Sequence, residues 1–310
     1  MAAMAIAGCR PDAAEPARPP AAVAAGVRLA GRPVGGLSPA ELTAVVQDGA
    51  ARLYRAPLDA AVDPVTGGLW PALAGQSVDV EETCRRVLAA PPGTDVDYAF
   101  TPVPPAVDNA AFPLAPIYRG RPEKNEVALT VNVAWGQDYL PSMLRILKER
   151  GVQVTFFVQG DWAEKFPRLV EQMAADGHEI GSHGYSHPHM AVMSDAEIAA
   201  EISHAGAILK SITGQEPTLF APPYGEVTRQ ILFTAARLGY RTSLWSCDTI
   251  DWRGEPPDVI LARFQKRVTA GAIVLMHPTP ATVQALPLML DYIEKQGWRP
   301  VTVTKLISPH

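Results

Sequence analysis

Two histidines four residues apart are the part of this 310-residue chain with the clearest capacity for chemistry. Residues 182–187 read Ser-His-Gly-Tyr-Ser-His and follow the short apolar segment 179–181. Imidazole nitrogens are common ligands of divalent metals, and two of them on one short loop can bind the same ion. The spacing therefore predicts that His183 and His187 are metal ligands, with a hydrogen-bonded pair of imidazoles and no metal as the alternative.

Several other residues, most of them polar or aromatic, lie at or just after the ends of predicted strands. They are Asn132, Pro223, Tyr224, Asp248, Asp251, Trp252 and His277. In a (β/α) barrel, side chains from the ends of many strands converge at one face, and active sites are built there. We therefore expect these residues and the histidine pair to meet in a single cleft.

The elements that must position these residues alternate between short apolar runs and amphipathic segments. Strands are predicted at residues 127–133, 154–158, 219–220, 242–245 and 273–276. Helices are predicted at residues 139–150, 166–176, 195–212, 228–238, 258–268 and 282–296. Repeated β-α units imply a parallel sheet, either closed as a barrel or open and doubly wound. The placement of the polar residues favours the barrel, so the predicted fold class is α/β.

Residues 126–307 resemble the polysaccharide deacetylase family, which is carbohydrate esterase family 4 and contains the NodB-homology domain. Four short elements occur in the order typical of that family: His-Gly-Tyr-Ser-His at 183–187, Ala-Pro-Pro-Tyr-Gly at 221–225, Asp-Thr-Ile-Asp-Trp at 248–252 and Leu-Met-His at 275–277. The resemblance implies a distorted (β/α) barrel of about seven strands. It also implies removal of acetyl groups from chitin-like or peptidoglycan sugars, which is hydrolysis of a non-peptide carbon–nitrogen bond assisted by a divalent metal, with Zn²⁺ as the expected ion.

The same resemblance assigns roles to individual residues. It makes His183 and His187 the metal ligands and His277 the general acid. The chemistry of the residues also allows His277 to act as a base, and in either role Asp251 or Asp248 is expected to hold the tautomer of that histidine. The resemblance also gives the groove substrate-binding residues at Pro223, Tyr224, Trp252 and Leu275. Asn132, which is not the family residue, is expected to hydrogen-bond a substrate or water.

The first family element departs from its usual form. Family members carry Thr-Phe-Asp-Asp-Gly, in which one aspartate is the general base and the next is a metal ligand, whereas residues 130–134 here read Thr-Val-Asn-Val-Ala. Ala221 also replaces the arginine that normally orients the base, and an arginine left buried without its partner would cost several kcal/mol. These coupled changes resemble a sporulation-associated branch of the family. Asp138 is the nearest carboxylate that could replace the missing ligand.

Two classes of function remain open after this comparison. One is a metal-dependent hydrolase of N-acetylated wall sugars, which needs an acid and a base to move protons and a Lewis acid to polarise the carbonyl. The other is a catalytically silent glycan-binding protein that has kept the groove and lost the carboxylates. Metal binding is expected for the first class and is dispensable for the second.

The region before the barrel divides by composition. Residues 1–25 form an Ala- and Pro-rich leader in which the sequence before Cys9 resembles a lipobox, so Cys9 is a candidate lipid anchor. A chance cysteine in an unstructured leader is the alternative. Residues 26–105 form a small α+β module with helix-capping motifs at Ser38 and Asp79. This module resembles modules associated with peptidoglycan binding, and a spacer domain is the alternative. Residues 106–125 are predicted to be a Pro-rich linker to the barrel at 126–310.

Composition limits the partners. The formal net charge is −5 and no basic stripe stands out, which argues against a general nucleic-acid binder. The chain has no apolar run of the roughly 20 residues needed to cross a bilayer, so we expect contact with a membrane only through Cys9. The expected location is extracytoplasmic, in the cell envelope of a bacterium, with an N-acetylated glycan or peptidoglycan as the partner.

Overall fold

The structure is a computed structural model that describes residues 22–310, so residues 1–21 of the predicted leader and the lipid anchor at Cys9 lie outside the described residues. The described chain forms two compact units. One contains the residues up to Ala56 together with Gln76–Val103, and the other contains Pro57–Gly75 and Pro104–His310. The last residues of the predicted leader belong to the first and smaller unit, where Val23 is buried. No helix among the described residues has both the length and the apolar character needed to cross a membrane.

The larger unit is built on a sheet of parallel strands. In spatial order these are Arg241–Thr242, Leu219–Phe220, Glu179–Ser182, Thr155–Val158, Glu126–Val133, Ile273–Met276 and Cys247–Asp248. An eighth strand, Arg299–Val301, pairs in parallel with the start of Glu126–Val133. This curled sheet of seven strands confirms the predicted α/β class and the distorted (β/α) barrel.

Helices cover the outside of this sheet. They are Leu140–Glu149, Gly160–Lys165, Pro167–Ala175, Asp195–Thr213, Arg229–Arg237, Pro257–Arg267 and Pro280–Lys295. The last helix, Val303–Ile307, packs instead with strand residues of the opposite face, including Ala128 and Phe157. Short 3₁₀ turns occur at Asn109–Ala111, Pro122–Lys124, Met190–Val192, Pro223–Gly225 and Asp251–Arg253. The reciprocal cap predicted before residue 195 is present, because Ser194 accepts a hydrogen bond from the Glu197 amide and Glu197 accepts one from the Ser194 amide.

The central strand Glu126–Val133 shows how the sequence separates the two faces of the sheet. Successive side chains of a strand point to opposite faces. Val127, Leu129, Val131 and Val133 belong to the hydrophobic cluster that includes the residues of the surrounding helices. Asn132, which alternates with them, is 5% exposed and lines a cleft instead. The strand therefore places Asn132 and Val133 on different faces.

Three elements of the larger unit differ from the sequence prediction. The predicted strand 242–245 is a strand only at Arg241–Thr242, and the helix Gly160–Lys165 and strand Arg299–Val301 were not predicted. The helix Gly160–Lys165 is six residues long, which is too short to establish a helical period. The strand Arg299–Val301 is not predicted because it contains Pro300, and proline is disfavoured in strands except at sheet edges.

The segments that the sequence assigned to the module and the linker also lie partly in the larger unit. The antiparallel strands Ala61–Val62 and Leu69–Trp70 pair with each other there. Ile117 is fully buried and pairs with Ser243, and Arg119 pairs with Ala272. The predicted linker therefore contributes backbone hydrogen bonds to strands near both ends of the sheet. Local composition misses this because proline-rich chain is also compatible with an extended, paired backbone.

The smaller unit has two helices, Pro39–Leu53 and Val80–Ala89. Strands Arg28–Leu29, Arg32–Pro33 and Asp95–Val96 form one sheet, and Phe100–Val103 pairs with Gly75–Val78. Ser38 and Glu41 form the predicted capping box, and Asp79 caps the second helix by accepting from the Glu82 amide. Valines and leucines from the helices and the first strand form its core. The α+β composition agrees with the prediction, and the binding role of this unit stays a prediction.

Candidate functional site

One cleft of about 390 Å³ lies at the carboxyl ends of the barrel strands. It is lined by Asn132, Ala134, Trp135, His183, His187, Tyr224, Gly225, Trp245, Asp248, Trp252, Leu275 and His277. Eight of the ten residues selected from the sequence are in this lining. Pro223 is buried and does not line it, and neither does Asp251, which is fully buried behind His277. Asp138, the proposed replacement ligand, is exposed and also lies outside the lining.

The two histidines of the 183–187 loop face each other in the cleft. Their ring centroids are 4.9 Å apart, and His183 is 3% exposed. The Nδ1 of His183 lies 2.7 Å from the carbonyl oxygen of Ala221, so this nitrogen is the donor and Nε2 keeps a free lone pair. Burial and the neighbouring His187 lower the pKa of His183 to about 3, and burial also lowers the pKa of His187. Both rings are therefore neutral at pH 7, which is the form that binds metals.

The remaining donors do not complete a catalytic metal site. Among residues 22–310, no group of three or more His, Cys, Asp or Glu side chains is placed to hold one ion. A catalytic zinc normally has three protein ligands. Val133, at the position of the usual aspartate ligand, is fully buried in the hydrophobic cluster and supplies no donor. The residues present therefore provide two imidazoles and fall one ligand short.

Glu201 holds the loop that carries the histidine pair. Its carboxylate accepts hydrogen bonds from the backbone amides of Tyr185 and Ser186, both at 2.8 Å, and from the Ser186 hydroxyl at 2.7 Å. The Tyr185 ring stacks on His204, one turn further along the same helix, at 4.1 Å. The helix Asp195–Thr213 thus fixes the loop conformation from behind, a role that the sequence did not reveal.

His277 is oriented by a buried carboxylate. Asp251 Oδ1 lies 2.8 Å from His277 Nδ1, and Asp251 Oδ2 accepts from the His277 amide at 2.6 Å and from the Thr282 hydroxyl at 2.6 Å. This arrangement makes Nδ1 the donor and directs Nε2 toward the cleft. Of the two aspartates that the sequence offered for this role, Asp251 fills it. Asp248 instead lines the cleft and accepts from the Ile250 amide at 2.8 Å.

Backbone strain is concentrated around the cleft. Five described non-glycine residues have positive φ, and three of them border this site: His187 at 62°, Tyr224 at 59° and Ile250 at 54°. Such conformations cost about 1–3 kcal/mol each and persist where the surroundings impose them. Ile250 is the least expected of the three because β-branched residues rarely adopt positive φ. Its turn separates Asp248, in the cleft, from Asp251, behind His277.

Aromatic side chains form much of the cleft wall. Trp135, Tyr224 and Trp252 are 43%, 57% and 53% exposed, values that are high for large aromatic rings. Trp135 lies nearly parallel to His277, with centroids 5.8 Å apart and planes 5° apart. Trp135 and Trp245 were not among the residues predicted to form the site. The available signal was position, because Trp135 follows the first barrel strand by two residues.

His189 has partners that sequence spacing did not suggest. Its ring stacks on Tyr224 at 4.0 Å with planes 12° apart, and its Nδ1 lies 2.7 Å from Glu226. Tyr224 also contacts His187 edge-on at 4.6 Å. Glu226 therefore positions His189, and His189 in turn positions Tyr224. Through these contacts the Tyr224 ring packs against His187, in the loop of residues 183–187.

Gly136 allows the Trp135 loop to lie against the His277 loop. Its φ is 85°, and a Cβ at this position would lie 2.3 Å from the Pro278 carbonyl oxygen. We expect Gly136→Ala to lower the free energy of unfolding by about 2–3 kcal/mol through strain and displacement. It should also move Trp135 off His277, which a change in tryptophan fluorescence would report.

Gly239→Ala is the matched control for this prediction. Gly239 has a φ of 86°, and nothing lies within 4 Å of its added Cβ. This variant should therefore show the backbone strain alone, without the collision. Equal melting temperatures for the two variants would contradict the proposed packing of the Trp135 loop.

The chain is similar to proteins of the polysaccharide deacetylase family. Residues 119–243 match the family model for polysaccharide deacetylase. The chain is 34% identical over 252 residues to the uncharacterized protein YlxY of Bacillus subtilis, covering 81% of this chain and 79% of that protein. It is 34% identical over 196 residues to a peptidoglycan-N-acetylglucosamine deacetylase of Bacillus cereus, covering 62% of this chain and 71% of that protein.

The similar solved structures include a protein described as a pseudoenzyme. The wild-type structure of BA3943, a carbohydrate esterase family 4 pseudoenzyme from Bacillus anthracis, has a TM-score of 0.78 and 34% identity, covering 86% of this chain and 95% of that chain. A BA3943 mutant described as having restored enzymatic activity has the same TM-score and 33% identity, covering 86% of this chain and 98% of that chain.

Proposed function

This chain belongs to the polysaccharide deacetylase family, and we propose that within this family it is a pseudo-deacetylase that binds an amino-sugar polymer such as peptidoglycan without hydrolysing it. The observation that carries this proposal is the identity of the residue on the inner face of the first strand. Asn132 lies in the cleft where family members have the catalytic base. A carboxamide donates and accepts hydrogen bonds but cannot take a proton from water at neutral pH.

The groove itself is suited to sugars. Exposed aromatic faces stack on sugar rings, and the rings of Trp135, Tyr224 and Trp252 supply such faces. Asn132, Asp248 and the three histidines of the lining supply the polar groups that orient a ligand between the aromatic walls. Relatives named as peptidoglycan deacetylases and as a pseudoenzyme support both the ligand class and the loss of activity.

A slow metal-dependent deacetylase is the second candidate. It is favoured by the intact pairing of His277 with Asp251, which is the arrangement expected of a general acid. This candidate needs a divalent metal, with Zn²⁺ as the expected ion, at His183 and His187. The missing third ligand and missing base weigh against it.

Location and attachment complete the proposal. Relatives that modify peptidoglycan support an extracytoplasmic role at the bacterial cell wall. We propose that Cys9 is a lipid anchor, that the smaller unit contacts peptidoglycan, and that the protein acts in sporulation. These points rest on the sequence resemblances alone.

Two measurements on the purified protein separate the candidates. Binding of soluble peptidoglycan fragments is followed by calorimetry, and acetate release is followed with and without added Zn²⁺. The pseudo-deacetylase should bind the fragments and release no acetate in either condition. Zinc-dependent acetate release that His277→Ala abolishes would establish the hydrolase and overturn the proposal.

The aromatic wall provides a test of the binding site. We expect Trp252→Ala to weaken binding of the fragments roughly tenfold, since the loss of one stacking ring costs about 1–1.5 kcal/mol. Phe233→Ala is the control, because Phe233 is an equally exposed aromatic ring, 53% exposed, outside the cleft lining. Equal affinities for the two variants would place glycan binding elsewhere on the protein.

A further inference from the structure

The cleft contains one carboxylate, Asp248, whose negative charge is not paired with a lysine or arginine of the lining. Asp248 is the only aspartate or glutamate among the described residues that line it, and no lysine or arginine is in that lining. Its Oδ1 accepts one hydrogen bond, from the Ile250 amide at 2.8 Å. Its Oδ2 has no hydrogen-bond donor among the described residues. A negative charge thus faces the space that a ligand would fill.

Asp251, in the same turn, is a carboxylate whose two oxygens are both hydrogen-bonded by the protein. It is fully buried, and both of its oxygens accept hydrogen bonds from His277 and Thr282. Its charge is therefore engaged by the fold. The strained residue Ile250 lies between the two aspartates and keeps Asp248 turned to the cleft, away from these donors.

The surrounding rings add to the preference for positive charge. Trp135, Tyr224, Trp245 and Trp252 line the same space as Asp248. Aromatic faces attract cations as well as stacking on sugar rings. A sugar that bears an ammonium group could place its ring on an aromatic face and its charge beside Asp248. Such a charge-assisted hydrogen bond is roughly twice as strong as one from a neutral amide.

We propose that the cleft prefers a glucosamine unit with a free, protonated amine over the N-acetylated unit. This inference rests on the proposed function, because it takes the cleft to bind an amino-sugar polymer, and it specifies which chemical form of the sugar is recognised. The ligand is the product of an N-deacetylation reaction, so a hydrolase acting on the same polymer must supply it. The protein then binds deacetylated glycan in preference to the acetylated polymer.

The test compares two oligosaccharides that differ only at nitrogen. The full chain is titrated at pH 7 with the β-1,4-linked tetramer of glucosamine and with the corresponding tetramer of N-acetylglucosamine. We expect the glucosamine tetramer to bind about tenfold more tightly, in line with the greater strength of a charged hydrogen bond. Asp248→Asn should reduce this preference to within about twofold, because it weakens binding of the glucosamine tetramer much more than binding of the N-acetylated tetramer.

Glu171→Gln controls for general attraction between a cationic sugar and an acidic protein. Glu171 is an exposed carboxylate on the helix Pro167–Ala175, outside the cleft lining, and its loss changes the net charge as Asp248→Asn does. This control should keep the tenfold preference. The inference is overturned if Asp248→Asn and Glu171→Gln reduce the preference for the glucosamine tetramer equally. It is also overturned if Asp248→Asn weakens binding of both tetramers to the same extent. Tighter binding of the N-acetylated tetramer overturns it while the proposed function stands, and binding of neither tetramer contradicts both.

Discussion

Replacing Asn132, Val133 and Ala221 by Asp, Asp and Arg should convert this protein into a deacetylase that releases acetate at least 100-fold faster than the wild-type chain. Asn132→Asp supplies a general base, and a positioned base contributes about 10²–10⁴-fold. Val133→Asp restores the carboxylate that the family resemblance makes the third zinc ligand, and metal binding must turn this side chain from the hydrophobic cluster toward the cleft. Ala221→Arg supplies the ion-pair partner of the new base. Acetate release from N-acetylglucosamine oligomers in the presence of Zn²⁺ measures the effect.

The position of Val133 makes this gain depend on metal. Val133 is fully buried in the hydrophobic cluster, so an unliganded carboxylate there is desolvated without a partner and costs several kcal/mol. The triple variant should melt at a lower temperature than the wild type without Zn²⁺ and recover when the ion is added, since a ligand that binds only the folded state stabilises it.

Two controls define the outcome for the triple variant. The double variant Asn132→Asp with Ala221→Arg lacks the third ligand and should stay close to the wild-type rate. Adding His277→Ala to the triple variant should remove the gained activity. A folded, zinc-loaded triple variant that releases no acetate would contradict the roles assigned to Asn132 and Val133.

Asp251→Asn should lower the free energy of unfolding by about 2–4 kcal/mol, because hydrogen bonds to a buried charged group contribute about 1.5–3 kcal/mol each and the amide cannot replace all of them. The carboxylate accepts two bonds from His277 and one from Thr282. An amide has one acceptor oxygen, and its NH₂ group would face a donor. Urea unfolding followed by circular dichroism measures the change.

Asp248→Asn is the matched control in the same turn. Asp248 accepts a single hydrogen bond, from the Ile250 amide, and the Asn oxygen can keep it. This variant should change the free energy of unfolding by less than about 1 kcal/mol. Similar stabilities for the two variants would contradict the view that Asp251 holds the fold while Asp248 faces the ligand.

The sequence predicts the barrel well because its signals are periodic and repeated. The strand Ile273–Met276 was predicted with the observed bounds, and the helix Asp195–Thr213 was predicted to within one residue at its end. A buried parallel strand is a short continuous apolar run, and a capping box marks where a helix begins. The histidines, Asn132 and Asp248 follow from the same rule, since strand ends meet at one face.

Features that depend on loop conformation could not be predicted in this way. Trp245 lines the cleft because the strand ends at Thr242, three residues earlier than predicted. His189 stacks on Tyr224 because Tyr224 adopts a positive φ, which no pattern in the sequence indicated. Non-local pairs such as Ile117 with Ser243 leave no periodic trace in a proline-rich segment. Tertiary contacts decide the structure at these places.

The hydrogen bonds of Asp251 have an evolutionary consequence. They join the residue after the strand Ile273–Met276 to the first turn of the helix Pro280–Lys295, and loss of that junction would weaken the barrel whether or not any substrate is turned over. Purifying selection for folding is thus sufficient to preserve a pair that looks catalytic. The presence of this aspartate in a family member is therefore not, by itself, a sign of catalytic activity.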